Sequence, residues 1–164
     1  MALLQLGDMA PDFELPALAG GVRMRFHLAD RRGKQNLVLA FYPLNWEAAS
    51  AGQMITYQAE REKFIAQEAE IVGISVDSIM NTTAWERNIG PFDFPLCSDF
   101  WPHGEVTRRY EVLRERDAFA GAGERAVFVL DKSGRITFRK IYPLDEVPDY
   151  HEALVALAGR IGTR

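Results

Sequence analysis

Residues 36–54 read NLVLAFYPLNWEAASAGQM. The stretch opens with a nearly continuous apolar run, 36–42, which stops at Pro43. A short apolar run of this kind, bounded by a proline, is typical of a strand that is buried on both faces. Such a strand needs covering elements on either side. The stretch therefore indicates an α/β protein built around this strand.

A long amphipathic helix is predicted over 46–68, directly after that strand. Charged residues 60–63 fill its polar face, while apolar residues recur at roughly helical spacing on the other face, at Met54, Tyr57, Phe64 and Ile65. A buried strand that runs straight into a long helix is typical of a parallel β-α-β unit.

The remaining elements follow in an order that completes one sheet. Gly20-Gly21 and Lys132-Ser133-Gly134 have the composition of hairpin turns. The sequence predicts strands at 12–15, 22–28, 70–76, 95–98, 125–131 and 135–141, and helices at 79–89, 103–110 and 148–161, the last one burying Leu154, Leu157 and Ile161. With right-handed crossovers, these elements form a central mixed sheet with helices on both faces and an N-terminal hairpin. We expect residues 1–164 to form a single domain.

The composition excludes several classes of protein. The chain has 164 residues, of which 48% are apolar and 26% charged, a balance that is ordinary for a globular domain and unlike that of a disordered one. A net charge of −4 argues against a nucleic-acid partner bound through a basic face. The longest apolar run, 37–44, is far shorter than the ~20 residues that span a bilayer. With no basic, apolar leader visible, a cytoplasmic protein without a membrane partner is expected.

Cys97 is the only cysteine in the chain. One thiol excludes an intramolecular disulfide, a CxxC redox pair and a cysteine-based zinc site. The three histidines, His27, His103 and His151, lack metal-ligand spacing. The sequence therefore predicts neither a metal nor another cofactor.

Five short strings, in order along most of the chain, resemble peroxiredoxins of the alkyl hydroperoxide reductase and thiol-specific antioxidant family, in its bacterioferritin-comigratory-like or one-cysteine-like group. The strings are GDMAPDF at 7–13, LAFYP at 39–43, ISVDS at 74–78, PLCSD at 95–99 and RAVFVLD at 125–131. The resemblance implies a thioredoxin-like fold and the thiol-dependent reduction of peroxides.

The active site of that family is a Pro-x-x-x-Thr/Ser-x-x-Cys segment together with an arginine on a later strand. In that family the pKa of the cysteine is lowered by the helix N-terminus, by backbone amides and by the arginine. The resulting thiolate attacks the peroxide. Pro43 and Arg125 match this pattern. However, Glu47 stands at the hydroxyl position and Ser50 at the cysteine position, and Ala48 replaces a proline that is frequent there.

Ser50 cannot act as the missing thiol, because a serine hydroxyl titrates far above neutral pH and forms no sulfenic acid. The sequence therefore predicts a protein that has lost peroxidase catalysis and has a binding or regulatory role, with a small anion or a peroxide as ligand of the family pocket. One alternative is an active peroxidase for hydrogen peroxide or organic hydroperoxides, in which Ser50 is an engineered replacement of cysteine. In a second alternative, Cys97 acts as the peroxidase thiol. The competing interpretation of Cys97 is that it is a small buried apolar residue.

Two further hypotheses concern the surroundings of the site. Glu47 either pairs with Arg125, filling the pocket with an internal carboxylate, or is a solvated acidic residue in the first helical turn. The resemblance also implies a homodimer, whose interface would include residues near the site and the segment 99–103.

Overall fold

A seven-stranded mixed sheet forms the centre of the protein. The computed structural model describes the backbone of residues 3–162 and the side chains of residues 3–159. The strands are β1 (Glu14–Ala19), β2 (Val22–His27), β3 (Asn36–Phe41), β4 (Ala69–Ser75), β5 (Leu96–Ser98), β6 (Arg125–Leu130) and β7 (Ile136–Tyr142). The α-helices are α1 (Ala48–Ala59), α2 (Arg61–Ile65), α3 (Ile79–Ile89), α4 (Glu105–Arg109) and α5 (Tyr150–Gly162).

The strand order is β2-β1-β5-β4-β3-β6-β7. Strands β3, β4 and β5 are parallel to one another, whereas β6 is antiparallel to β3. The carboxyl ends of the three parallel strands and the start of β6 therefore lie at the same edge of the sheet, which we call the upper edge. This arrangement brings the loop after β3 close to the first residue of β6, Arg125.

Both faces of the sheet are covered, as predicted. Strand β3 is buried over its whole length, so its alternating side chains enter two cores. One core contains Leu39 and Phe41 and includes Val106 of α4, and the other contains Val38 and Ala40 and includes residues of α1, α2, α3 and α5. Each large apolar side chain buried in this way stabilises the fold by roughly 1.5–3 kcal/mol.

The N-terminal and C-terminal hairpins are confirmed. Gly20 and Gly21 both have positive φ angles, 56° and 79°, which a two-residue hairpin turn favours and glycine adopts without strain. The first strand covers 14–19 rather than the predicted 12–15, because it pairs with β2 along its whole length, from Glu14 to Ala19.

The predicted helix over 46–68 is wrong in its extent. The chain forms two helices, which are separated at Glu60, where φ is −104° and ψ is 11°. In the second helix Phe64 is buried, whereas Ile65, which was predicted on the same apolar face, is 48% exposed. The helices predicted at 103–110 and 148–161 are observed as α4 and α5 with small shifts of their ends. The predicted burial of Ile161 lies outside the described side chains.

None of the helices within residues 3–162 combines the length and the apolar character that a transmembrane span requires.

Candidate active site at the start of α1

The loop between β3 and α1 carries most of the residues that the sequence singles out. Pro43 is buried directly after the strand, and Trp46 has a positive φ of 71°. Glu47 then adopts extended backbone angles as the N-cap of α1, and Ser50 lies in the first turn, fully buried. The loop thereby turns the start of α1 toward the first residue of β6, Arg125.

Asn45 connects this loop to the loop after β4 and to α3. Its backbone N–H donates to Asp77, and its side-chain amide donates to Asn81 and Thr82 at 3.0 Å each. The amide oxygen of Asn45 accepts from the hydroxyl of Tyr42 at 2.9 Å. Since partners in the loops after β3 and β4 and in α3 hold this loop residue, the position of Glu47 is fixed by more than its own contacts.

Glu47 pairs with Arg125, which was the first of the two alternatives for this residue. Its Oε1 atom accepts from Nη2 of Arg125 at 2.6 Å and from Oγ of Ser50 at 2.6 Å. The carboxylate also accepts from the backbone N–H groups of Ala49 and Ser50, at 3.1 and 3.2 Å. It therefore caps the helix as well, which satisfies two of the free N–H groups of the first turn. The alternative, a solvated residue within the first turn, is wrong.

Arg125 is completely buried, and all five of its N–H donors have a partner. Nε and Nη2 donate to the backbone carbonyl of Leu144, and Nη1 donates to Ser50 Oγ and Gln53 Oε1. The remaining donor on Nη2 binds Glu47. In this arrangement no donor of the guanidinium is free for a ligand.

The sequence did not predict the role of three residues of this network. Gln53 is buried one helical turn after Ser50, and its Nε2 lies 3.2 Å from the hydroxyl of Tyr57, which is buried a turn further along. Leu144 contributes only its backbone carbonyl. Ser50, Gln53 and Tyr57 follow one another along one helix face. This spacing could have indicated the roles of Gln53 and Tyr57, since a polar residue among buried positions requires a hydrogen-bond partner.

The charges of the site are well compensated. Partial burial raises the pKa of Glu47, but the hydrogen bonds from Ser50 and Arg125 and the charge of Arg125 outweigh it, so that this pKa lies below its usual value. Burial raises the pKa of Tyr57 to about 12, so that the phenol stays neutral. Glu47 is therefore an anion at neutral pH and offsets the buried charge of Arg125.

The lowered pKa of Glu47 makes its contribution to stability dependent on pH. A carboxyl whose pKa is lower in the folded state stabilises above its unfolded-state value, 4.5, and this contribution disappears as the pH falls through the folded value. We expect Glu47→Gln to be less stable than the unmodified protein at pH 7, and the difference to shrink below about pH 4.5. Urea unfolding of both proteins between pH 3 and pH 7 measures it, and a constant difference over that range would contradict the prediction.

Cys97 lies outside this site, in the core on the face of the sheet opposite α1. It is the central residue of β5, between β1 and β4, and its side chain is fully buried. Burial raises the pKa of the thiol well above its usual range, which disfavours the reactive thiolate. These features fit the interpretation of Cys97 as a small buried apolar residue.

Thiol labelling tests the inertness of Cys97. In the native protein, a disulfide reagent is expected to modify Cys97 at least about 10³-fold more slowly than in urea, because labelling requires unfolding with a free energy of roughly 5 kcal/mol or more. Val155 is 70% exposed on α5, so Val155→Cys supplies an accessible thiol as a control. A native Cys97 that reacts as fast as the introduced thiol would overturn this prediction.

Metal ligation finds no support in the described part of the chain. Within it, no three histidine, cysteine, aspartate or glutamate side chains are grouped closely enough to hold a metal ion. His103 contacts the carbonyl of Gly121 at 2.7 Å, and the carboxylate of Asp99 accepts from Val106 and Thr107.

Three features define a thioredoxin-fold protein of the peroxiredoxin class. They are the mixed sheet, the helix α1 that follows the central strand β3, and Arg125, which faces the first turn of that helix. Residues 6–139 match the AhpC/TSA family, and the chain belongs to that family. The resemblance to this family that the sequence shows is thus confirmed.

Relatives with similar sequences are named alkyl hydroperoxide reductase or peroxiredoxin. The chain is 34% identical over 158 residues to alkyl hydroperoxide reductase E of Mycobacterium tuberculosis. The matched region covers 94% of this chain and 99% of that protein. It is 35% identical over 145 residues to a putative peroxiredoxin of Synechocystis, covering 85% of this chain and 70% of the relative.

Solved structures of the class share the fold. The reduced 2-Cys peroxiredoxin of Plasmodium vivax superposes with a TM-score of 0.87 at 23% sequence identity, over 96% of this chain and 82% of that one. The likeness establishes the thioredoxin-like fold that the sequence predicted.

Proposed function

We propose that this antioxidant-family protein does not reduce peroxides by thiol chemistry and that the site at the start of α1 has a binding or regulatory role. One observation carries the proposal. The residue at the position of the family's nucleophile is Ser50, and its hydroxyl donates to Glu47 at 2.6 Å. A serine oxygen held in this way is neither a thiolate nor able to form a sulfenic acid.

The occupied arginine supports the same conclusion. In the catalytic arrangement implied by the resemblance, the arginine and a hydroxyl orient the peroxide and stabilise the departing oxygen. Here the donors of Arg125 are used by Glu47, Ser50, Gln53 and Leu144. A peroxide or a small anion can therefore reach Arg125 only if Glu47 leaves.

A peroxide-consumption assay tests the proposal. The chain is incubated with hydrogen peroxide or an organic hydroperoxide and a dithiol reductant, beside an active member of the family. We expect the rate of the chain to equal that of the blank. Turnover above the blank would overturn the proposal, and its loss in Cys97→Ser would identify Cys97 as the thiol.

We also propose that the protein forms a homodimer through its upper edge. Large apolar side chains are exposed there, in the loops after β3 and β5, in the first turn of α3 and in the loop before β6. We call this set the apolar edge, and it comprises Trp46, Met80, Phe100, Trp101 and Phe119. Trp101 is the most exposed of them, at 81%. Exposed apolar patches of this kind are typical of protein–protein interfaces.

Analytical ultracentrifugation tests the dimer. Trp101→Glu places a charge in the apolar edge and is expected to weaken self-association at least tenfold, since a buried unpaired charge is costly at an interface. Val22 is 67% exposed on the edge strand β2, so Val22→Glu serves as the matched control. A monomeric unmodified protein, or equal dissociation of both variants, would contradict the proposal.

A further inference from the structure

We propose that the start of α1 and Arg125 form a receptor for a small monocarboxylate, in which Glu47 is a tethered resident ligand. The inference rests on the proposed binding role of the site and names the class of ligand. It also assigns a regulatory role to Glu47, because this residue competes with any ligand from outside.

The receptor consists of four donors that converge on one carboxylate. Nη2 of Arg125, Oγ of Ser50 and the backbone N–H of Ser50 bind Oε1 of Glu47, and the N–H of Ala49 binds Oε2. A helix N-terminus and an arginine are the two elements of proteins that favour oxyanions most directly. The set of donors is thus that of an anion site, and its present occupant is part of the chain.

These donors are held in place without the help of Glu47. Arg125 donates twice to the carbonyl of Leu144 and once to Gln53, at 3.1 Å. Ser50 and Ala49 belong to α1, a helix of 12 residues. Removal of the Glu47 side chain therefore leaves a preorganised cradle, which costs a ligand little reorganisation.

Burial and access decide which ligand the cradle accepts. Arg125 is fully buried, whereas the side chain of Glu47 is 29% exposed, so that the opening to solvent is the place where Glu47 enters. A buried guanidinium that loses its partner charge is strongly unfavourable. The vacated site therefore selects an anion over a neutral hydroperoxide. The donors now bind both oxygens of the Glu47 carboxylate, so an external carboxylate can use the same contacts.

In the unmodified protein Glu47 competes at a high effective concentration, because it is part of the same chain. An external carboxylate must displace it and is expected to bind at least tenfold more weakly than to a chain without this side chain. Glu47 is in this sense an autoinhibitory contact of the receptor.

Chemical rescue tests the receptor. Glu47→Ala removes a CH₂–COO⁻ group, which acetate matches in size and charge. At constant ionic strength, acetate is expected to raise the Tm of this variant in a saturable way, by roughly 5–10 °C once it exceeds its Kd about 100-fold. Acetamide, which lacks the charge, should give no such rise. In the unmodified protein, where Glu47 competes, the rise should be no more than about half as large at the same concentrations.

A cap without an arginine serves as the matched control. Ser78 caps α3 by accepting from the N–H of Asn81, so Ser78→Ala loses a cap but creates no anion site, and acetate should not stabilise it. If Glu47→Ala does not fold, Glu47→Thr keeps a capping hydroxyl while freeing Arg125, and formate should stabilise it.

The receptor proposal would be overturned if carboxylates did not change the Tm of the folded Glu47 variant. It would also be overturned if acetamide raised that Tm as much as acetate does. These outcomes are independent of the peroxide assay: turnover by the unmodified chain would refute the proposed function and leave the carboxylate titration to be judged by itself.

Discussion

Replacing Arg125 with alanine is expected to lower the free energy of unfolding by about 3–5 kcal/mol. The guanidinium is fully buried and gives five hydrogen bonds. Its removal takes the donors from the carbonyl of Leu144 and the amide oxygen of Gln53, and it leaves the carboxylate of Glu47 without its charged partner. A cavity is added where the side chain lay. Both effects act in the same direction.

Urea unfolding followed by circular dichroism measures this loss, which corresponds to a midpoint roughly 1.5–2.5 M lower for a slope near 2 kcal/mol per M. Arg87 is exposed on α3, and Arg87→Ala should change the unfolding free energy by less than about 0.5 kcal/mol. A loss at Arg125 no larger than that of the control would show that the network contributes little to stability.

A double-mutant cycle separates the ion pair from the rest of the network. If Glu47 and Arg125 stabilise each other, Glu47→Ala should cost much less in the Arg125→Ala background than in the unmodified protein. Additive losses would mean that the 2.6 Å contact between the two side chains is energetically unimportant.

The sheet was largely predictable from the sequence because its signals are local. The apolar run of β3 and the glycine turn at 20–21 each determine an element within a few residues. The break at Glu60 was not predictable in this way, since charged residues continue the polar face across it. Only packing in three dimensions shows that Phe64 is buried and Ile65 is not.

The site was predictable in part. The motif alone placed Glu47, Ser50 and Arg125 together, and opposite charges suggested the ion pair. The role of Leu144 had no signal in the sequence, because any residue supplies a backbone carbonyl and only the fold determines which one reaches Arg125. Likewise, the position of Glu47 as N-cap depends on the exact start of α1, and helix ends are the least certain part of a sequence-based prediction.

Introducing a thiol at position 50 is expected to give little peroxidase activity unless Glu47 is removed as well. In Ser50→Cys the new sulfur would take the place of Oγ, which now lies 2.6 Å from a carboxylate oxygen of Glu47, and would stay next to that carboxylate at the somewhat longer separation that sulfur requires. A like charge at this distance disfavours the thiolate and raises the pKa of the thiol by up to a few units, so most of the cysteine stays protonated at pH 7. The donor of Arg125 that would serve the peroxide also stays with Glu47.

The double variant Ser50→Cys, Glu47→Thr removes both obstacles. It returns Arg125 to the pocket and places a hydroxyl at the position where the family has one, so the rate of peroxide consumption should exceed that of Ser50→Cys about 100-fold or more. A stopped-flow assay with hydrogen peroxide, in a Cys97→Ser background, measures the rates, and titration of the thiol should show a lower pKa in the double variant. Ser50→Ala, Glu47→Thr lacks the nucleophile and should stay at the blank rate. If Ser50→Cys alone matched the double variant, Glu47 would not be what closes this site, and the carboxylate would be reduced to a helix cap.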